Sequence, residues 1–264
     1  MSKTKKRRYW WLIFPAIVVL LIGVVIFFGI KNGNAMNRTV EAGMRALQQT
    51  YTVTEMPAGD YGTIRIYGIM KFDTRRYDVE GLGNLCVMTM NMGIMQMATF
   101  VLTPYEKNMP MLSTDFIYML GNRKGYVELY DLVETKEDKA YQAVLDSLYQ
   151  VNAGFSDLED FAPTPGWYDY LLTVTAYKAG KSAQEDRITG LFADNVSVYA
   201  RAAASLDELS AEQKAAKWQI TQDYCDTMVE KGGVSTSIFK KALGDETTSD
   251  FFNRVFFGPA NYAE

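Results

Sequence analysis

The first apolar pattern along the chain is an unbroken block. Residues 10–30, WWLIFPAIVVLLIGVVIFFGI, run 21 positions without a charge, and about 20 apolar residues in a helix suffice to cross a bilayer's hydrocarbon core. Trp10 and Trp11 suit the headgroup boundary, and Pro15 is tolerated in a membrane helix. Beyond the block, apolar positions recur in helical steps: Val40, Met44 and Leu47 share one face and predict a helix over 36–50. The period then drops to two. Short runs at 63–72, 75–80, 85–92, 94–103, 114–120 and 126–132 read as strands. The first pair flanks an Asp73-Thr74 turn, and the last pair flanks a glycine-bearing hairpin loop at 121–125. Six short runs with tight connections predict an antiparallel meander, because a parallel pair needs a long crossover.

From residue 136 the spacing lengthens again, and Ala140, Val144, Leu148 and Val151 predict a helix over 136–151. The run FAPTPGW at 161–167 is a proline-broken loop, followed by one more strand at 171–177. Ser182 with Glu185 forms a capping-box pattern opening a helix to about Ala204; Ser210 with Gln213 opens another that carries Trp218 and Tyr224. Residues 222–244, QDYCDTMVEKGGVSTSIFKKALG, place a double glycine between that helix and one at 236–243. A last helix covers 249–257. A sheet followed by helices predicts an α+β fold, with an antiparallel sheet sandwiched between helices and one transmembrane helix ahead of it. The expected organisation is a basic tail at 1–9, an anchor at 10–30, a juxtamembrane helix and linker at 31–59, one domain at 60–258 and a short tail at 259–264.

Charge sharpens this picture. The chain holds 27 basic and 31 acidic residues; six of the bases and none of the acids fall in 1–35, so residues 36–264 carry a formal charge of −10. So acidic a body argues against nucleic acid as a partner. Five of the six bases precede the apolar block, which predicts a cytoplasmic N-terminus and a body outside the cytosol. A cleavable signal peptide is the competing reading, with Gly33-Asn34-Ala35 as its cleavage site, but the apolar block exceeds the ~7–15 residues usual there. The chain has no histidine. That excludes imidazole metal sites and the Ser-His and Cys-His nucleophile pairs, and leaves acid–base chemistry to carboxylates, tyrosines, lysines and water. Cys86 and Cys225 lack metal-ligand spacing, so no metal is expected. They read first as core thiols, with a disulfide between them left open.

The segment from Lys217, KWQITQDYCDTMVEKGGVSTSIFKKALGDETTSDFFNRVFFGP, resembles the C-terminal end of the ferredoxin-dependent bilin reductases. This family includes the enzymes that make phycocyanobilin and phytochromobilin. The likeness lies in Gln219, in Tyr224-Cys225, in FKKALG at 239–244 and in the aromatic run ending Val255-Phe256-Phe257. Pro104, then MPMLSTDFIYML and YVELYDL within 109–132, and Gly166-Trp167 follow in the family's order, so the resemblance spans most of 60–258. It implies a divergent member of the family, to which the apolar block at 10–30 would add a membrane anchor. It also implies a linear tetrapyrrole (bilin) held between the sheet and the C-terminal helices. Reduction would proceed by one-electron steps, with protons from side chains, no bound cofactor, and electrons from ferredoxin or another external one-electron donor.

Carried over residue by residue, the resemblance makes Asp115 the central strand acid that protonates the bilin. A carboxyl facing an apolar pocket is hard to ionise, and a raised pKa makes it a usable donor near neutrality. The plain alternative is a strand carboxylate capping a neighbouring amide. Thr99 matches a position where several family members place histidine; threonine hydrogen-bonds there but does not titrate. Strand alternation puts Met95, Met97 and Val101 on the face of Thr99. With Met88, Met90 and Met92 they form a thioether surface suited to a flat ligand, or an ordinary core. Ile117 shares the face of Asp115. Arg123 and Lys124, in the expected 121–125 loop, are either solvated charges or partners for a propionate. Where the family places a second acid between its last helices, Gly232 and Gly233 keep the turn without the carboxylate. Asp131 matches the family's Asp-Leu and is read as structural. The expected substrate-binding set is therefore Thr99, Met95, Met97, Ile117, Arg123, Gly232 and Gly233.

Two functions follow. One is a membrane-anchored reductase using Asp115 as proton donor. The other is a module that holds a tetrapyrrole or another flat apolar molecule without reducing it. The missing histidine, the missing second acid and an acidic body outside the cytosol, which would repel an acidic ferredoxin, are departures that the module accommodates; the shared order of the family's segments still favours the reductase.

Overall fold

The computed structural model describes residues 10–68 and 70–263; the expected basic tail lies outside the described residues. The apolar block and the helix expected after it are one element, α1, running Trp10–Gln48 without a break. Its surroundings change part-way. Residues 13–30 are exposed or half-buried throughout, whereas Asn32, Ala35, Met36, Thr39, Gly43, Ala46 and Leu47 are buried. Those three- and four-residue steps form one stripe, the pattern of a helix packed on a neighbour. The neighbour is α3 (Glu185–Ala204). Gly43 permits the approach, since a Cβ there would stand 2.1 Å from the Phe192 ring. Residues 31–59 are thus not a linker but part of the body, and they include strand β1 (Val53–Met56).

Among the described residues, nine strands form one antiparallel sheet. After β1 come β2 (Thr63–Ile66), β3 (Met70–Val79), β4 (Gly83–Met92), β5 (Met95–Pro104), β6 (Met111–Met119), β7 (Asn122–Tyr130), β8 (Glu159–Asp160) and β9 (Leu172–Lys181). The spatial order is β1-β3-β4-β5-β6-β7-β9-β8, with β2 also pairing β3.

Two expected turns moved. The chain reverses at Tyr67-Gly68, not at Asp73-Thr74, which lie inside β3. It reverses again at Leu120-Gly121, and residues 122–125 belong to β7 rather than to a loop. The glycine at 125 marks close packing rather than a turn: a Cβ there would meet Phe116 at 3.0 Å.

Alternation along the strands divides the molecule into three layers. Phe100, Leu102, Leu112, Phe116 and Tyr118 point to a core shared with α1, α2 (Lys139–Ala153) and α3. Met88, Met90, Val101, Met111 and Tyr130 point to a second core under α4 (Ala211–Lys231), α5 (Val234–Leu243) and α6 (Asp245–Phe251). Cys86 and Cys225 are both buried free thiols of this second core.

The Ser210 capping box forms as expected, with Gln213 N donating to Ser210 Oγ at 3.3 Å and Ser210 N to Gln213 Oε1 at 3.0 Å. The expected Ser182–Glu185 box does not. Glu185 is held instead by Arg38 and Arg123, and Gln184 takes its place by accepting from Lys181 N at 3.1 Å. Residues 259–263 are docked rather than a free tail: Trp218 Nε1 donates to Pro259 O at 2.9 Å and Tyr262 hydroxyl to Asp78 Oδ1 at 2.7 Å.

Candidate functional site

The strand registers line up one row of side chains across the middle of the sheet. Met88 pairs with Thr99, Thr99 with Asp115, Asp115 with Tyr126, and Tyr126 with Tyr177. Side chains directly opposite on antiparallel strands share a face, so this row forms the floor of a cavity. Next to it on the same face lie Met97, Ile117, Ser113 and Glu128. The roof is Tyr224 and Met228 of α4, Gly233 at the α4–α5 turn, Thr236 and Phe239 of α5, and Phe252, Phe256 and Phe257. Phe252 and Phe256 come from a π-helical turn, Phe252–Phe256, that extends α6, and Phe257 follows directly after it. Such a turn widens the helix and recurs at functional sites. Pro163, Thr164, Tyr168 and Asp169, from the proline-broken segment before β9, complete the wall. The cavity volume is about 320 Å³, in the range of small-molecule sites.

Asp115 sits in the centre of the floor. It keeps some accessible surface because the cavity is open to it, yet its carboxyl is surrounded by protein. Burial pushes its pKa from 3.8 up to about 6. The Thr99 hydroxyl, which donates a hydrogen bond to Asp115 Oδ1, pulls the other way, and the nearby charge of Glu128 adds to the rise. The result is a carboxyl that both holds and releases a proton near neutrality.

Glu128 is the site residue that sequence reasoning missed. Burial raises its pKa as well, opposed by two hydroxyls: Tyr130 donates to Oε2 at 2.8 Å and Tyr177 to Oε1 at 3.1 Å. The available signal was an acid between two tyrosines at two-residue steps, Tyr126-Glu128-Tyr130, within a strand otherwise built for burial. Among the described residues, the cavity walls carry Asp115, Glu128 and Asp169 and no lysine or arginine. Its tyrosines remain protonated: burial raises the pKa of Tyr126, Tyr168, Tyr177 and Tyr224.

Of the expected residues, the fold brings together Asp115, Thr99, Met97, Ile117 and Gly233 in the cavity lining. Met95 lies farther along β5, packed at the edge of the second core. Gly232 does not line the cavity; its carbonyl accepts from Trp167 Nε1 at 2.6 Å, and its φ of 77° is a glycine conformation. Arg123 is elsewhere. It lies on β7 facing the first core, buried, with Nη2 3.0 Å from Glu185 Oε2 and its guanidinium 5.0 Å from the Tyr118 ring centre. Residue parity separates it from Glu128 and the cavity. Lys124, its neighbour, rests over the Phe161 ring at 4.5 Å.

No protein-family model matches this sequence, and no curated protein matches it. Among solved structures, phytochromobilin synthase from tomato, in complex with biliverdin, superposes with a TM-score of 0.67 over 84% of this chain and 83% of that one, at 14% sequence identity. The chain therefore has the fold of a bilin reductase, an antiparallel sheet flanked by helices, with a long apolar helix at its N-terminal side.

Proposed function

We propose that this protein is a membrane-anchored, bilin-reductase-like enzyme that takes a linear tetrapyrrole into the cavity between sheet and C-terminal helices. The observation that carries the reading is Asp115. It is a carboxyl at the centre of an aromatic and thioether cavity, its pKa raised to about 6, facing no base among the described residues. Hydrogenating one double bond consumes two electrons and two protons. The electrons come singly from ferredoxin or another external one-electron donor; Asp115 supplies a proton to the conjugated system as it gains charge, and is re-protonated from solvent. Glu128, one strand over, is the second carboxyl within the same walls. With no lysine or arginine in the lining, the propionates of a bilin lie outside the cavity, and its hydrophobic rings lie inside. Residues 10–30 hold the body on the membrane, and the five bases ahead of them support a cytoplasmic N-terminus with the body outside.

The test is to add biliverdin to the purified full chain and follow its absorbance before and after reduced ferredoxin. A spectral shift on binding, followed by donor-dependent bleaching that Asp115→Asn abolishes, is the expected result. Absence of any spectral shift overturns this reading and the tetrapyrrole form of its alternative. The alternative is a non-catalytic module for a tetrapyrrole or another flat apolar ligand, and the glycines at 232–233 favour it. It predicts binding without bleaching.

A further inference from the structure

Three hairpin tips gather at the end of the sheet from which the apolar half of α1 projects. The β4–β5 tip touches the helix. Asn32 Nδ2 donates to Ile94 O at 3.4 Å; a Cβ on Gly29 would stand 3.1 Å from Gly93 O, and one on Gly93 would stand 3.1 Å from Val25 Cγ1. The contact at Val25 falls inside the apolar run that ends at Ile30. At 1.5 Å per residue, that is about 7 Å within the run. The β6–β7 tip is tied to the first: Leu120 N donates to Ile94 O at 3.1 Å. The β2–β3 tip, at Tyr67-Gly68, completes the row on the other side.

The side chains on these tips are apolar and face outward. Tyr67 is 63% exposed, Ile94 37%, Met119 45% and Leu120 37%. Outside α1, the other large apolar side chains so exposed among the described residues are Tyr149 and Tyr170. The backbone makes the same point independently. Tyr67 (φ 52°) and Leu120 (φ 54°) are, among the described residues, the two non-glycine positions in the left-handed region. Turns of that kind favour glycine, asparagine or aspartate, and a bulky side chain is disfavoured there. Here the chain places a tyrosine and a leucine at these strained positions and leaves both partly exposed. Exposed Lys31 and Lys181 stand behind the tips, with stems long enough to reach a headgroup.

We infer that the three tips rest in the surface of the lipid bilayer as a second membrane contact beside α1. The inference rests on the anchoring reading above. A depth of about 7 Å is that of interfacial segments buried at the headgroup–acyl boundary. Seated this way, the strands rise from the membrane. The cavity residues Met97 and Ile117 stand two positions above Met95 and Met119, at the membrane-proximal end of the cavity.

The test is spin-label accessibility on the full chain in phosphatidylcholine vesicles. Labels are placed through Val18→Cys, Ile94→Cys, Leu120→Cys and Tyr149→Cys, the native cysteines being buried. At 94 and 120, the ratio of oxygen to nickel-chelate accessibility is expected to be severalfold above that at 149 and to approach that at 18. A ratio at 94 and 120 equal to that at 149, with a high ratio at 18, overturns the docking surface and leaves the anchor standing. A low ratio at 18 overturns both.

Discussion

Replacing Asp115 by asparagine separates the cost of the site from its use. Asparagine preserves the size of the side chain and an acceptor for the Thr99 hydroxyl, but removes the titration. In the native protein burial lifts the carboxyl from 3.8 to about 6, and each pKa unit corresponds to about 1.4 kcal/mol. The folded state binds the proton more tightly than the unfolded chain. Its contribution is therefore fully present below 3.8 and lost as pH rises through about 6. Near pH 8 the ionised carboxylate then weighs on the fold by at most about 3 kcal/mol, and access to the cavity's solvent reduces this to roughly 1–3 kcal/mol. Asp115→Asn escapes that loss. Its stability relative to the native protein should rise by this amount between acid and alkaline buffer, while donor-dependent bilin reduction disappears and binding persists. Urea unfolding of the full chain in detergent, followed by tryptophan fluorescence across the pH series, measures the first effect. A stability difference that is flat with pH, or that runs the other way, refutes the assignment of Asp115 as a buried, reluctantly charged acid.

Other changes probe the neighbours of the site and the packing that holds it. Glu128→Gln removes a charge that raises the Asp115 pKa, so the infrared titration of the protonated Asp115 carboxyl should move to lower pH; an unchanged midpoint shows the two acids to be uncoupled. Lys217 is buried in α4, with Nζ 2.8 Å from both Met109 O and Leu132 O, and burial lowers its pKa from 10.5 to about 7. The folded state gives up this proton first, so native stability should climb as pH rises from about 7 toward 10.5, by up to ~1.4 kcal/mol per pH unit. Lys217→Met should flatten that slope in urea titrations. Gly43→Leu drives a side chain into Phe192 and should cost about 1–3 kcal/mol. Gly33→Ala on the same helix adds a Cβ that meets nothing within 4 Å and should leave the urea midpoint unchanged or higher.

Local pattern alone made the long apolar helix, the α+β class, most of the strands and the face of Asp115 legible, because helical and strand periodicities depend only on neighbours along the chain. Alternation put Met97 on the face of Thr99 and Ile117 on the face of Asp115 for the same reason. Connections were harder. Tyr67 and Leu120 break the rules of turn composition, so the true reversals were invisible, while Gly125 imitated a turn although its missing side chain serves the Phe116 ring. The fate of charges was beyond local pattern altogether. Arg123 is buried because Glu185 reaches it from 62 positions away, and Glu128 joins the site because Tyr177 meets it across two strands. A periodicity tells which way a side chain points; what stands opposite it is decided only when distant segments close on one another, and the energy of a buried charge resides in that partner.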